Sequence, residues 1–305
     1  MPYASKVPGV MHACGHDTHC AMMLGNAKIL CGMRDQFAGT VKLIFQHSED
    51  LMPGGARVLV REGVMNGVDA IFGMHIFPSE KEVCGTIGIK NGAMFMSAEE
   101  YWFDIQGVGG HGSQPHKVPD PILAAAEIIV MLQQVQARAV DPMDTAIFMM
   151  NKIEGGVAPN VISDRVRMCG NARAGSVAAK KKIEEYAYRI ANGVEAISGC
   201  RIEVTNPPGY DPVENDPELV SQIIPFLENA VGGDKVQIMD KPLAGAEDFS
   251  FYSTLTGVPG AFMTLAGGNL GEVLPVHNAR VTFDEKAFPY GMAAMTACAV
   301  SYLND

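Results

Sequence analysis

The sequence predicts an α/β fold, a mixed-sheet domain interrupted by a ferredoxin-like α+β module, on three observations. First, short apolar, β-rich runs at residues 40–46 and 69–75 are bounded by turn signals and separated by a short helical pattern at residues 56–62. Continuous apolar runs of that length suit strands buried on both faces, and strand-helix-strand is the order of an α/β sheet. Second, the order from residue 97 is strand (97–107), helix (121–137), strands (145–153, 165–174), helix (177–197) and strand (201–206), the β-α-β-β-α-β order of a ferredoxin-like unit. Third, helical and strand patterns alternate again after Pro207-Pro208-Gly209. The expected organisation is residues 1–94 and 208–305 as two parts of one domain, with residues 95–207 inserted between them.

Individual elements carry their own signals. A helix over residues 18–33 offers Met22, Leu24, Ala27 and Leu30 for burial. Pro121 opens another helix at the first helical position, where its missing N–H costs nothing. The half-exposed alternation over residues 97–107 marks a strand with one face in a core.

Composition narrows the function. Of 305 residues, 23 are Lys or Arg and 34 are Asp or Glu, a formal charge of −11. An acidic chain without a basic stripe argues against nucleic acid and anionic membranes as partners. No apolar run approaches the roughly 20 residues of a membrane span, and the first dozen residues lack a signal-peptide pattern. A cytoplasmic protein acting on a small molecule is the expectation. Seven cysteines without a CxxC pair fit free thiols. Cys20, Cys31, Cys84, Cys169, Cys200 and Cys298 are expected to be small buried side chains.

The chemistry-bearing residues converge. Glu49 and Asp50 follow the strand ending at Gln46, and His75 ends the next strand. Crevices beyond the carboxyl ends of strands are where α/β sheets build sites. Cys14 and His16 flank Gly15 in a loop before a helix whose N-terminus would favour the Cys14 thiolate. His277 follows an apolar strand and a glycine-rich turn. Mixed S, N and O donors suit zinc or another borderline divalent metal, and five ligands exceed one tetrahedral site, so two ions are expected. Glu49 is the candidate water activator. His12 and His19 fit surface or supporting roles, and His47 is undecided. His111 sits in the turn Gly109-Gly110-His111-Gly112-Ser113, which lacks the Lys-Ser/Thr of a phosphate loop. Asn160 and Arg173 lie at strand ends, where Arg173 could fork onto a carboxylate.

These motifs have an order. Met11-His12-Ala13-Cys14-Gly15-His16-Asp17, Phe45-Gln46 with Glu49-Asp50, Pro53-Gly54-Gly55-Ala56, Gly73-Met74-His75, Gly109-Gly110-His111-Gly112-Ser113 and Glu247-Asp248-Phe249 occur in succession. From Tyr3 onward the chain resembles the aminoacylase-like metallopeptidases, in the branch of hippurate hydrolases, N-acyl-amino-acid amidohydrolases and auxin-conjugate hydrolases. The resemblance implies a metallohydrolase domain with two divalent metal ions (manganese or zinc first, cobalt or nickel as alternatives) and an inserted lid that often mediates a homodimer. It implies Cys14, His16, Asp50, His75 and His277 as metal ligands and Glu49 as general base. It further implies His111 as an oxyanion-stabilising lid histidine, and Asn160 and Arg173 as contacts for the substrate's carboxylate end. The expected reaction is hydrolysis of the amide of an N-acyl amino acid or small peptide conjugate; a non-catalytic, metal-binding, dimerising relative is the alternative, and a structural zinc protein the third. Departures are Asp50 where the family usually has glutamate, Ala246 for glycine and Asn171 for threonine. Family members also usually carry roughly 80 to 100 residues before the counterpart of Pro2, including an Asp-x-Asp segment.

Overall fold

The structure, a computed structural model, describes residues 4–268 and 270–304, so Tyr3, where the resemblance begins, lies outside it. Helix α1 (His16–Gly32) and the short α2 (Ala56–Arg61) precede strand β1 (Ile71–Phe77). Strands β2 (Ile87–Ile89), β3 (Gly92–Phe95), β4 (Glu99–Gln106) and β5 (Gly110–His111) follow, then α3 (Pro121–Gln134). Next come β6 (Ala146–Gly155), β7 (Val161–Ile162), β8 (Arg165–Ala174), α4 (Val177–Ser198), β9 (Arg201–Thr205) and β10 (Val213–Asn215). Helix α5 (Pro217–Val231), β11 (Val236–Ile238), α6 (Ser250–Thr254), β12 (Gly260–Ala266) and α7 (Phe288–Asn304) complete the chain.

The inserted module is the β-α-β-β-α-β unit expected from the sequence. Its antiparallel sheet runs β6-β8-β4-β9. Alternate residues of β4, Tyr101, Phe103 and Ile105, are fully buried among Ile128 and Leu132 of α3 and Ile183, Ala187 and Val194 of α4. Asp120 caps α3 through the amides of Ile122 and Leu123, Ser176 caps α4 through Ala179, and Gly199 closes α4 in the left-handed conformation.

The other domain holds a mixed sheet in the order β1-β12-β2-β11. Strand β1 runs parallel to β12 with His75 opposite Thr264, whereas β12 and β2 are antiparallel. One face of this sheet packs on α1, α5 and α7 through Met22, Leu219, Ile223, Ala294 and Cys298. The other packs through Ile71 and Phe262 on Met65, Phe249, Phe251 and Tyr252. Gly73 is required on β1, because a Cβ there would stand 2.7 Å from the Phe262 ring and 2.8 Å from that of Phe249.

Four expectations need correction. Residues 40–46 form no strand, since no strand lies alongside to complete a ladder among the described residues. Leu24 is exposed and Asn26 takes its place in the α1 interface, donating from Nδ2 to the Met292 carbonyl and Thr296 Oγ1 of α7. Cys20 and Cys31 are exposed because they lie on the outward face of α1, Cys84 and Cys169 are half-buried, and only Cys200 and Cys298 of the expected six are buried. Finally, α3 continues through a π-helical turn to Ala139, giving 19 residues long and apolar enough to cross a membrane by length and composition. Its buried residues are committed to the module's core.

Candidate metal centre

The site forms where three loops meet the carboxyl end of β1. Gly15 supplies the sharp entry to α1 with φ 95°, and a Cβ there would lie 2.7 Å from Ile76. That turn leaves Cys14 buried in the loop and puts His16 at the first position of the helix. His75 at the end of β1 projects beside them, its Nε2 3.3 Å from Cys14 Sγ. The His75 Nδ1–H donates to the Ile76 carbonyl at 2.6 Å, which fixes the tautomer and leaves Nε2 as a lone pair aimed at the thiol. His277 adopts a left-handed backbone (φ 69°) and its N–H donates to the Ala13 carbonyl at 2.5 Å, tying its loop to that of Cys14.

The carboxylates arrive from the loop after residue 46. Asp50 bridges two imidazoles, with Oδ2 3.4 Å from His16 Nδ1 and Oδ1 3.3 Å from His277 Nε2. Glu49 Oε2 is 3.6 Å from His16 Nε2, and the Tyr210 hydroxyl donates to the Glu49 carbonyl at 2.5 Å. Three sets of donor atoms lie within 4.8 Å of one another: Cys14, His16 and His75; Cys14, Asp50 and His277; and His16, Glu49 and Asp50. Cys14 belongs to the first two. His16 and Asp50 also each fall in two sets, and a thiolate or carboxylate shared between sets suits two adjacent divalent ions, while thiolate, imidazole and carboxylate together fit borderline metals.

Electrostatics agree. Burial, then Asp248 and Asp50, push the Glu49 carboxyl up to about 8. Burial also holds Glu247 well above the carboxylate range, with Glu49 and Asp248 adding to it. Burial lowers His75 to about 4 and lowers His16, despite the opposing pull of Asp50. No Lys or Arg pairs with Glu49, Asp50, Glu247 or Asp248 among the described residues. Several acids, neutral imidazoles and no resident cation define a site that gains stability from positive charge. The expected thiolate at Cys14 is corrected by the same reasoning. Burial, then the charges of Asp50, Glu49 and Glu247, push the thiol up to about 12, so a cation is needed to make it a ligand.

The supporting residues were harder to read. Asp248 accepts from the Ala56 amide at 3.0 Å and from Gln46 Nε2 at 2.7 Å, clamping the Pro53-Gly54-Gly55-Ala56 loop. A Cβ on Gly54 would fall 2.1 Å from Asp248 Oδ2, and one on Gly55 2.0 Å from the His47 carbonyl, so both glycines are obligatory. His19 accepts from the Ile76 amide at 3.0 Å, with its ring centroid 4.7 Å from that of His75; it supports the cluster from behind. His12 is exposed, and His47 bonds the Ser48 hydroxyl at 2.8 Å. The Glu247-Asp248 pair was visible in the sequence only as part of a motif. Its burial follows from contacts two hundred residues apart, which no local pattern encodes.

The structure places the other three candidates elsewhere. His111 on β5 pairs with Val161 of β7, and the Gly112 amide donates to the Asn160 carbonyl at 2.8 Å, so His111 and Asn160 share one two-stranded arm. His111 Nδ1 lies 2.8 Å from the Ser113 hydroxyl. Arg173, near the end of β8, donates from Nη1 to the Ser97 carbonyl at 3.2 Å. No hydrogen bond or ion pair joins these residues to the ligand cluster among the described residues.

Comparison with known proteins accords with this geometry. The chain is 37% identical to a probable hydrolase of Synechocystis sp., over 99% of this chain and 76% of that one. It is 36% identical to the IAA-amino acid hydrolase ILR1-like 4 of Arabidopsis thaliana, over 99% of this chain and 68% of the relative. A solved structure from Bacillus subtilis, described as a dinuclear metal binding peptidase from the M20 family, superposes with a TM-score of 0.80 at 32% identity, covering 100% of this chain and 76% of that one. The chain thus spans roughly three quarters of the length of these relatives. The model of peptidase family M20/M25/M40 matches residues 1–301, and the chain belongs to that family.

Proposed function

We propose that this chain hydrolyses the amide bond of N-acyl amino acids or small peptide conjugates, with Glu49 as general base. As a family member it is a metal-dependent amidohydrolase acting on small-molecule amides. The observation that carries the residue assignment is the pair of donor sets sharing Cys14, with Glu49 at their edge. Cys14, His16, Asp50, His75 and His277 would hold two divalent ions, manganese or zinc. When bound, these ions supply Lewis acidity that acidifies water and polarises the carbonyl.

The chain's own residues do the rest. Glu49 takes a proton from the attacking water and delivers it to the departing amine. Tyr210 holds the Glu49 backbone in place for that shuttle. His111 donates to the oxyanion and Asn160 and Arg173 engage the carboxylate once the arm of β5 and β7 closes over the substrate. We further propose residues 95–207 as lid and residues 1–94 and 208–305 as catalytic domain. The lid pairs two copies through β6, an edge strand with Ile147, Met149 and Ile153 exposed.

The test incubates protein loaded with manganese or zinc with a panel of N-acyl amino acids and measures released amino acid beside metal content. Release with two metals per chain supports the reading. Among the described residues β1 has an open edge, which favours a second reading, a metal-binding dimer without turnover, and two metals with no release from any panel member would favour it.

A further inference from the structure

The chain crosses between the inserted module and the other domain twice, at residues 95–98 and 206–210. The crossings are bonded to each other: the Tyr210 N–H donates to the Ala98 carbonyl at 2.8 Å and the Ala98 N–H to the Tyr210 carbonyl at 3.1 Å. They lie so close that a Cβ on Gly209 would stand 1.9 Å from the Ala98 carbonyl. Apolar packing does not widen this joint. The module's core draws only on its own residues, and the cores of the other domain take from it only Phe95 and Ala98 of the first crossing. A narrow joint without a shared apolar interface leaves the angle between two domains free by default.

Polar groups hold it instead, and they gather at the start of α4. Glu214 accepts from the Val177 amide at 2.8 Å, so a carboxylate of the other domain meets the positive end of this 22-residue helix. One turn on, Lys180 Nζ donates to Asp211 Oδ1 at 2.6 Å and stands 3.7 Å from Glu99 Oε1. Asp211 is tied down in turn, accepting from the Thr254 hydroxyl of α6 at 2.8 Å. Glu99 directly follows the first crossing and Asp211 the second, so one ammonium sits between the carboxylates that flank both. Among the described residues, Lys180–Asp211 is the one ion pair joining the module to the other domain, and Glu99 has no other ion-pair partner. The side chains of Lys180, Asp211 and Glu99 are only 16%, 17% and 2% exposed, so salt and water screen them little. Without the ammonium, two buried carboxylates would face each other with no counter-charge.

We propose that Lys180 is a positioning residue: by bridging Asp211 and Glu99 it fixes the angle at which the inserted module stands relative to the metal centre. Tyr210, whose hydroxyl holds the Glu49 carbonyl, ties the same joint to the site. The consequence for substrate rests on the module serving as the lid proposed above. Fixing its angle then keeps His111, Asn160 and Arg173 within a narrow range of approach. Loss of the bridge lowers the fraction of molecules poised to bind, which raises KM and leaves kcat near its value, because saturating substrate holds the module itself.

Distance distributions from double electron–electron resonance test the bridge without substrate or turnover. Spin labels on unnatural ketone side chains replace Leu24 of α1 and Met143 of the module, both exposed, and leave the cysteines untouched. Labelled chain is diluted with unlabelled chain so that only distances within one chain are read, and far-ultraviolet circular dichroism checks the fold of each variant. Lys180→Met is expected to widen the distribution about twofold or more, and Lys180→Arg to keep the original width. The double variant Lys180→Met/Asp211→Asn removes both charges, so equal widening there separates loss of the bridge from damage by an unpaired buried acid; it decides alone if Lys180→Met does not fold. Unchanged width in either folded variant, or Lys180→Arg as wide as Lys180→Met, overturns the proposal. With an N-acyl amino acid as substrate, KM of Lys180→Met should rise about fivefold or more at nearly constant kcat, and an unchanged KM beside a widened distribution would overturn the consequence for substrate. No turnover by the unaltered chain would count against the hydrolysis proposed above, not against the bridge, which the distances decide.

Discussion

The inserted module and the domain around it solve the same problem to different degrees. In the module both helices carry side-chain caps, and β4 buries Tyr101, Phe103 and Ile105 completely. Around the ligand cluster the local rules are broken repeatedly. Three acidic side chains, Asp50, Glu49 and Glu247, crowd a buried thiol, and Ser48 and His277 hold left-handed backbones. Such departures persist where the surroundings enforce them, and they collect where chemistry is done. The module's core is thus drawn from its own residues, while the site gathers acids that a bound cation would offset.

The largest effect separating the two regions should come from one atom. Glu49→Gln keeps the shape of the side chain but removes the basic oxygen. We expect turnover of an N-acyl amino acid to fall by at least about 10²–10⁴-fold, the range of general-base contributions. Elemental analysis should still find the metals. Unchanged turnover would remove Glu49 from the mechanism and with it the claim that this strained loop is there for chemistry.

Metal uptake comes next. The Cys14 thiol, pushed up to about 12, is protonated at neutral pH and must lose its proton to bind. His75, lowered to about 4, is already neutral and adds no such requirement. Affinity should therefore rise with pH, by about tenfold per unit from Cys14 alone. Titration in buffers of different ionisation enthalpy would count the proton. Cys14→Ala removes the donor common to both sets, so bound metal should drop from two per chain to one or fewer, and the pH slope should flatten. Two ions retained with an unchanged slope would show that Cys14 is not shared.

The same contrast governed what could be read from sequence. The module's elements were legible because each strand and helix is specified by its own periodicity and caps: residues 165–174 were expected as a strand and form one, and Pro121 opens α3. The clustering of Glu49 and Asp50 with Cys14, His16, His75 and His277 was legible in their motifs, although only His75 lies near a strand end. Residues 40–46 were misread as a strand because a strand is a property of a pair, and composition records only one member. Glu247 and Asp248 were underread because burial of an acid is decided by Glu49, Gln46 and Ala56, far away in sequence. The state of the Cys14 thiol was inverted because burial and carboxylates far away in sequence raise it, and neither is recorded beside Cys14.

The smallest expected effect is the sharpest probe of the contrast, because it sets two equal truncations side by side. Phe103→Ala empties a fully buried position in the module's core, and such cavities cost about 3–5 kcal/mol. Phe45 lies on the wall of a cleft between residues 40–46 and β1 with 48% of its surface exposed, so Phe45→Ala loses far less packing, about 0.5 kcal/mol or less. Urea unfolding of the two variants, followed by far-ultraviolet circular dichroism and by exchange in the lid strands, would measure both. A Phe45→Ala loss as large as that of Phe103→Ala would show that the wall of the cleft is packed as tightly as the module's core and would remove the contrast.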